Sequence, residues 1–244
     1  MMLTRRSLLG LIAAGMTLGL GGVAHAEEAL RVGTDATFPP FEYTESGKRT
    51  GFDVELIEAI AKVLKRPVEW TEIDFKGLVP GLIANRFDVA ASAIYITDDR
   101  RKVVDFTDSY YPGGLVIMTK TGNGAIKGPD DLAGKKVSVQ VGTKSVAFLK
   151  DKYPNIERVE VEKNQEMFEL VESGRADAAI TGKPAAKVYA KTRGTLQLVE
   201  PSLTVEEYAF ALRKDEGELI KQFNAALKQL KADGTYDKLV AKYL

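Results

Sequence analysis

Apolar and polar positions alternate along this chain in two rhythms, and the rhythms take turns. The run LRVGTD (30–35) is short, apolar and closed by a polar turn, which predicts a strand. GFDVELIEAIAKVLK (51–65) sets Phe52, Leu56, Ile60 and the Val63/Leu64 pair on one face at intervals of three and four. That spacing predicts an amphipathic helix, with Asp53 as a candidate cap near its start. VEWTEI (68–73) returns to strand rhythm. LVPGLIAN (78–85) predicts a short helix that tolerates Pro80 only in its first turn, where the missing N–H costs nothing. DVAASAI (88–94) predicts a further apolar strand. This βαβαβ order favours a parallel sheet with helices on its faces.

The order then recurs. KKVSVQVGT (135–143), RVEVE (158–162) and ADAAIT (176–181) predict strands, and SVAFLKDKY (145–153) and QEMFELVESG (165–174) predict the helices between them. Val141-Gly142-Thr143 repeats Val32-Gly33-Thr34, and SGRADAAIT (173–181) echoes NRFDVAAS (85–92). Two similar α/β lobes in tandem are therefore expected. YYPGG (110–114) separates them, and LTVEEYAFAL (203–212) reads as extended. A helix carrying Leu219, Phe223, Leu227 and Leu230 stops at Gly234, and a shorter one runs from 236 to 243. If this tail packs on the first unit, the chain crosses between lobes twice. The expected division is 27–109 with 209–244 as lobe 1, 115–203 as lobe 2, and 110–114 and 204–208 as hinge strands.

The first 26 residues have a separate character. Arg5 and Arg6 precede the apolar run LLGLIAAGMTLGLGGVA, and Ala24-His25-Ala26 has the small-x-small form of a cleavage site. This reads as a secretory signal peptide ending at Ala26. TRRSLLG also resembles a twin-arginine export signal. The run is short and rich in glycine, whereas a spanning helix needs about 20 apolar residues, so a periplasmic protein free of the membrane is expected. Cleavage leaves 32 basic against 34 acidic residues, which gives no charge excess for nucleic acid or an anionic membrane. It also removes the only histidine, and the chain holds no cysteine. A Cys/His metal site, a Ser-His-Asp triad, a thiol nucleophile and a lipid-anchored cysteine are all excluded. No metal, cofactor or catalytic residue is expected, and the protein should act as a monomer.

Ligands of open α/β sheets bind beyond the carboxyl ends of the strands, and three such ends carry suggestive residues. GTDATFPPFEY (33–43) leaves a strand and at once presents Asp35, two prolines and aromatic rings, more than a solvent loop needs. VGTKS (141–145) opens a helix, where free N–H groups and the helix dipole attract an anion. In SAIYITDDRRKVVDF (92–106), Thr97 with Asp98 and Asp99 makes a good helix start. Arg100 falls in that first turn, and its fork suits either a carboxylate ligand or an ion pair with Asp98 or Asp99.

Together GTDATFPPFEY, GFDVELIEAIAKVL, DFKGLVPGLIANRFDVAASAIYITDDRRKVVDFTDSYY, VQVGTKS and GRADAAITGKPAA resemble the extracellular solute-binding proteins, family 3, of polar amino-acid ABC importers. The resemblance runs from about Leu30 to the C-terminus. It implies a two-lobed, type II periplasmic binding fold with a two-strand hinge, and closure of the lobes around one small zwitterionic solute. It also implies delivery to a membrane permease driven by a separate ATPase. Carried over by position, Asp35, Phe38 and Phe75 line the cleft in the first lobe. Arg100 grips the solute's carboxylate, Thr143 meets that group from the second lobe, and Ser92 and Ala93 face the solute with backbone groups. Two positions depart from the pattern. Tyr95 stands where the family usually has Ser or Thr, and Gly182 stands where an acidic residue meets the α-ammonium.

An unpaired buried ammonium costs several kcal/mol, so the solute is expected to be either a common amino acid held by Asp35 or another group, or a modified zwitterion. In the second case Phe38, Phe75 and Tyr95 would surround a substituted or delocalised cation, as cation–π attraction allows. The family also contains cyclohexadienyl dehydratases, so an enzyme on the same fold is the alternative reading. Its general acid would be Asp35, Glu42 or a further carboxylate.

Overall fold

A computed structural model describes residues 28–244; the signal peptide expected at 1–26 lies outside them. The two tandem units are present as two five-stranded sheets with helices packed on them. In the first sheet the strand Leu30–Thr34 lies between Val68–Glu72 and Val89–Ala90, all three parallel. In the second, Lys136–Gln140 lies between Glu157–Val161 and Ala178–Gly182, again parallel. Each sheet is then extended by an antiparallel strand; the first lies within the stretch 203–212 that reads as extended, and the second, Leu115–Lys120, is not announced by the rhythm of the sequence. Ala211–Leu212 returns from the C-terminal side to sit between Val89–Ala90 and Asp105–Phe106. Leu115–Lys120 sits between Ala178–Gly182 and Leu196–Val199. Both sheets are thus mixed.

The echo between NRFDVAAS and SGRADAAIT has a physical cause. Asp88 gives its N–H to the carbonyl of Arg31 and takes the Arg31 N–H on its carboxylate. Asp177 makes the same reciprocal pair with Lys136. In each sheet one aspartate pins the start of the third parallel strand to the first.

The chain crosses between the sheets twice, and the crossings pair with each other: Tyr111–Pro112 runs antiparallel to Glu207–Tyr208. The C-terminal helices Gly217–Ala232 and Thr235–Tyr243 return to the first unit, where Lys242 and Tyr243 meet Glu55. Leu219, Phe223, Leu227 and Leu230 are buried, as their spacing predicts.

Three local readings are corrected. Asp53 does not cap the helix Phe52–Leu64; Gly51 precedes it without a side-chain cap, at φ 125. The Asp53 carboxylate turns inward instead, taking the N–H of Ala93 at 2.8 Å and the Tyr110 hydroxyl at 2.7 Å. The strand expected over 88–94 is confined to Val89–Ala90, because Ala93 adopts φ +44 and turns the chain toward the space between the lobes. The GTDATFPPFEY stretch is not an open loop. Thr37–Phe38, Glu42–Glu45 and Lys48–Thr50 form a three-stranded antiparallel sheet that buries Phe41 completely.

Candidate functional site

All nine residues singled out in the sequence line one cavity between the lobes, partly open to solvent. Seven of them stand at or just beyond an element's end. Asp35 follows the strand Leu30–Thr34, and Ser92 and Ala93 follow Val89–Ala90. Phe75 begins a single 3-10 turn, and Phe38 ends its short strand. Thr143 precedes the helix Lys144–Lys152, and Gly182 closes the strand Ala178–Gly182.

Thr97 caps the turn Asp98–Arg101, its hydroxyl accepting the Arg100 N–H. The Arg100 side chain does not pair with Asp98 or Asp99; Asp99 pairs with Lys102 instead. The guanidinium bonds the carbonyl of Tyr95 at 2.8 Å, reaches the carbonyl of Gly142 across the cleft at 3.2 Å, and lies 5.5 Å over the Phe75 ring. Five N–H donors less these two leave three for an incoming oxyanion. Burial pulls the Arg100 pKa down to about 10, so it remains charged at neutral pH. Gly142 takes φ +78, and a Cβ there would stand 2.8 Å from the Lys76 Cα of the facing lobe. Only glycine permits this close crossing. The Thr143 hydroxyl donates to the Gln140 carbonyl at 2.7 Å, and the Thr143 N–H reaches the same oxygen at 3.4 Å.

The Asp35 carboxylate is saturated. One oxygen takes the Lys163 ammonium at 3.1 Å and the Thr37 hydroxyl at 3.0 Å. The other takes the Phe75 N–H at 3.1 Å and the Gln140 amide at 2.9 Å. Burial raises its pKa, and Lys163 works in the opposite direction. Beneath it, Ser92 accepts the Asp35 N–H and donates to Glu42 at 2.9 Å. Burial, reinforced by the neighbouring Asp53, pushes the Glu42 carboxyl well above the usual range.

The two departures from the family pattern are physically one feature. A Cβ on Gly182 would fall 2.2 Å from the Tyr208 hydroxyl and 3.0 Å from that of Tyr95. The two tyrosine rings stack at 4.3 Å, and Tyr208 donates to the Tyr95 hydroxyl at 2.8 Å. Tyr95 also bonds both backbone groups of Gly114 at 3.1 Å, and burial raises its pKa to about 12. Its hydroxyl is therefore committed to the crossover strand. One face of the Tyr95 ring is covered by Tyr208, and Arg100 lies over one face of Phe75.

Sequence reasoning missed Gln140, Asn164, Lys163 and Tyr208, and named Glu42 only as a possible proton donor. Gln140 was findable as the polar residue closing an apolar strand at its carboxyl end. Tyr208 and Lys163 were not: Tyr208 enters from a crossing strand onto Tyr95, and Lys163 reaches Asp35 only because the lobes face each other.

Among the described residues no helix is long and apolar enough to cross a membrane. Residues 30–244 match the family of bacterial extracellular solute-binding proteins, family 3, and the chain belongs to that family. It is 35% identical to the arginine-binding extracellular protein ArtP of Bacillus subtilis (strain 168), over 98% of each chain. It is 31% identical to the L-cystine-binding protein TcyJ of Escherichia coli (strain K12), over 99% of this chain and 96% of that one. The crystal structure of the ancestral amino acid-binding protein AncCDT-1, a precursor of cyclohexadienyl dehydratase, superposes with a TM-score of 0.83. It is 42% identical and covers 88% of this chain and 95% of that one.

Proposed function

We propose that this protein is the periplasmic solute-binding component of an ABC importer, closing its lobes on an amino-acid-class solute and presenting it to a permease with its ATPase. The observation that carries this reading is Arg100, charged and half-buried between the lobes, with three N–H donors left after its bonds to Tyr95 and Gly142. A carboxylate seated there would take a bidentate fork from Arg100 on one lobe and the helix start at Thr143 on the other. The sequence-derived division of the lobes, with 110–114 and 204–208 as hinge, is supported by the pairing of Tyr111–Pro112 with Glu207–Tyr208. The remaining cleft residues would shape the solute: Phe38 and Phe75 as walls, Ser92 and Ala93 through backbone groups, Tyr95 and Gly182 at the crossover end.

Family relatives of comparable similarity are named for arginine and for cystine, so likeness alone leaves the solute open. The enzyme reading is weaker. Asp35 is fully hydrogen-bonded, and the dehydratase precursor is itself described as an amino acid-binding protein. Arg100→Ala tests the proposal. Removing one partner of a buried charge pair costs about 2–5 kcal/mol, so solute affinity measured by calorimetry should fall about thirtyfold or more. Unchanged affinity would remove Arg100 from the site.

A further inference from the structure

Asp35 is an ionisable group with one side on the cavity and almost no solvent exposure, at 1%. A solute with a cationic side chain would need a carboxylate there, because an unpaired buried ammonium or guanidinium is costly. The chain has already supplied the cation. Lys163 precedes the helix Asn164–Glu172 of the second unit, and its ammonium lies 3.1 Å from Asp35 and 2.7 Å from Asp74, both in the first. Gln140 reinforces the arrangement: its amide donates to Asp35 and to the carbonyl of Glu162, and its oxygen accepts from Asn164 at 2.7 Å. The other charged groups on the cavity favour the same sign of solute. Arg100 and Lys144 line it, and among the described residues Lys144 pairs with Glu206 alone, at 3.5 Å. Glu42, held 2.9 Å from the Ser92 hydroxyl, is buried deeply enough to favour its neutral form.

We propose that Lys163 is a specificity-determining residue: its ammonium occupies the cation position at Asp35, so the site takes a carboxylate-bearing solute without a cationic side chain and rejects arginine- and lysine-like ones. This rests on the solute-binding reading and narrows it. It separates this chain from the arginine-binding relatives that share its fold. Lys163 acts on the solute through Asp35, as an internal counter-ion rather than as a contact of the carboxylate.

The experiment uses protein stripped of solute by unfolding and refolding, and titrates L-arginine and L-lysine into the wild type, Lys163→Ala and Lys163→Met. Lys163→Met keeps the stem packed should the shorter side chain fail to fold. The expected result is no measurable L-arginine binding by the wild type and binding at least tenfold tighter in a Lys163 variant, abolished again when Asp35→Asn is added. Wild-type protein that binds L-arginine at micromolar concentration would overturn the proposal, as would Lys163 variants that fold and gain nothing. Adding Arg100→Ala to the Lys163 variant separates the two readings. Loss of the gained L-arginine binding supports both, whereas retention keeps the Lys163 assignment and removes the carboxylate grip at Arg100.

Discussion

At position 182 a single methyl group has no room. The hydroxyl of Tyr208 stands 2.2 Å from where a Cβ would be, and Tyr208 cannot step aside. It is fully buried, stacked on Tyr95 and bonded to it. Glycine here therefore follows from the tyrosine pair, and the pair closes the crossover end of the cavity. Gly182→Ala should destabilise the protein by about 1–3 kcal/mol through overpacking, read as a lowered midpoint in denaturant. Adding Tyr208→Phe, which removes the obstructing oxygen, should recover part of that loss. A Gly182→Ala protein as stable as the wild type would mean that the two tyrosines are not fixed as described. The same scale explains why Asp35 is a poor partner for a solute's ammonium: its four acceptor positions are filled by Lys163, Thr37, Gln140 and the Phe75 N–H.

The two aspartates that open the third parallel strand of each sheet do equivalent work at unequal burial. Asp88 is buried and also pairs with the guanidinia of Arg31 and Arg213, whereas Asp177 is exposed. Losing a buried, charged acceptor leaves its donors unsatisfied. Asp88→Ala should therefore cost about 2–3 kcal/mol and Asp177→Ala about 1 kcal/mol or less, measured by urea unfolding. Equal costs would contradict the burial argument.

At this scale most of the fold could be read in advance. Helix Phe52–Leu64 carries its periodicity openly, and the strand Leu30–Thr34 ends in the Val-Gly-Thr triplet that follows the strand Lys136–Gln140. Elements whose pattern is set by distant partners could not. Leu115–Lys120 is defined by the sheet it joins, and the small sheet over 37–50 by turns that a two-residue strand hardly signals. Asp53 reads locally as a cap because nothing nearby in the sequence reveals Ala93 and Tyr110, its actual partners. The candidate site was legible at the carboxyl ends of strands, although Gln140 at such an end was passed over. It was illegible where a side chain reaches across from the second lobe, as Lys163 does to Asp35.

The molecule as a whole joins these features across one cleft. Arg100 touches Gly142, Asp35 is held by Lys163 and Gln140, and Lys76 pairs with Glu162, so polar groups of both lobes meet around the cavity while two paired strands connect the lobes. A binding protein of this design gains solute affinity from whatever the solute adds to those contacts, and the addition proposed above is a carboxylate on Arg100. The most direct test is a calorimetric comparison of stripped protein with L-glutamate, L-glutamine and other amino acids lacking a cationic side chain, each alongside its α-carboxamide. At least one free acid should bind one to one, and blocking its α-carboxylate should weaken binding about thirtyfold or more. A carboxamide that binds as tightly as its parent acid would contradict this expectation.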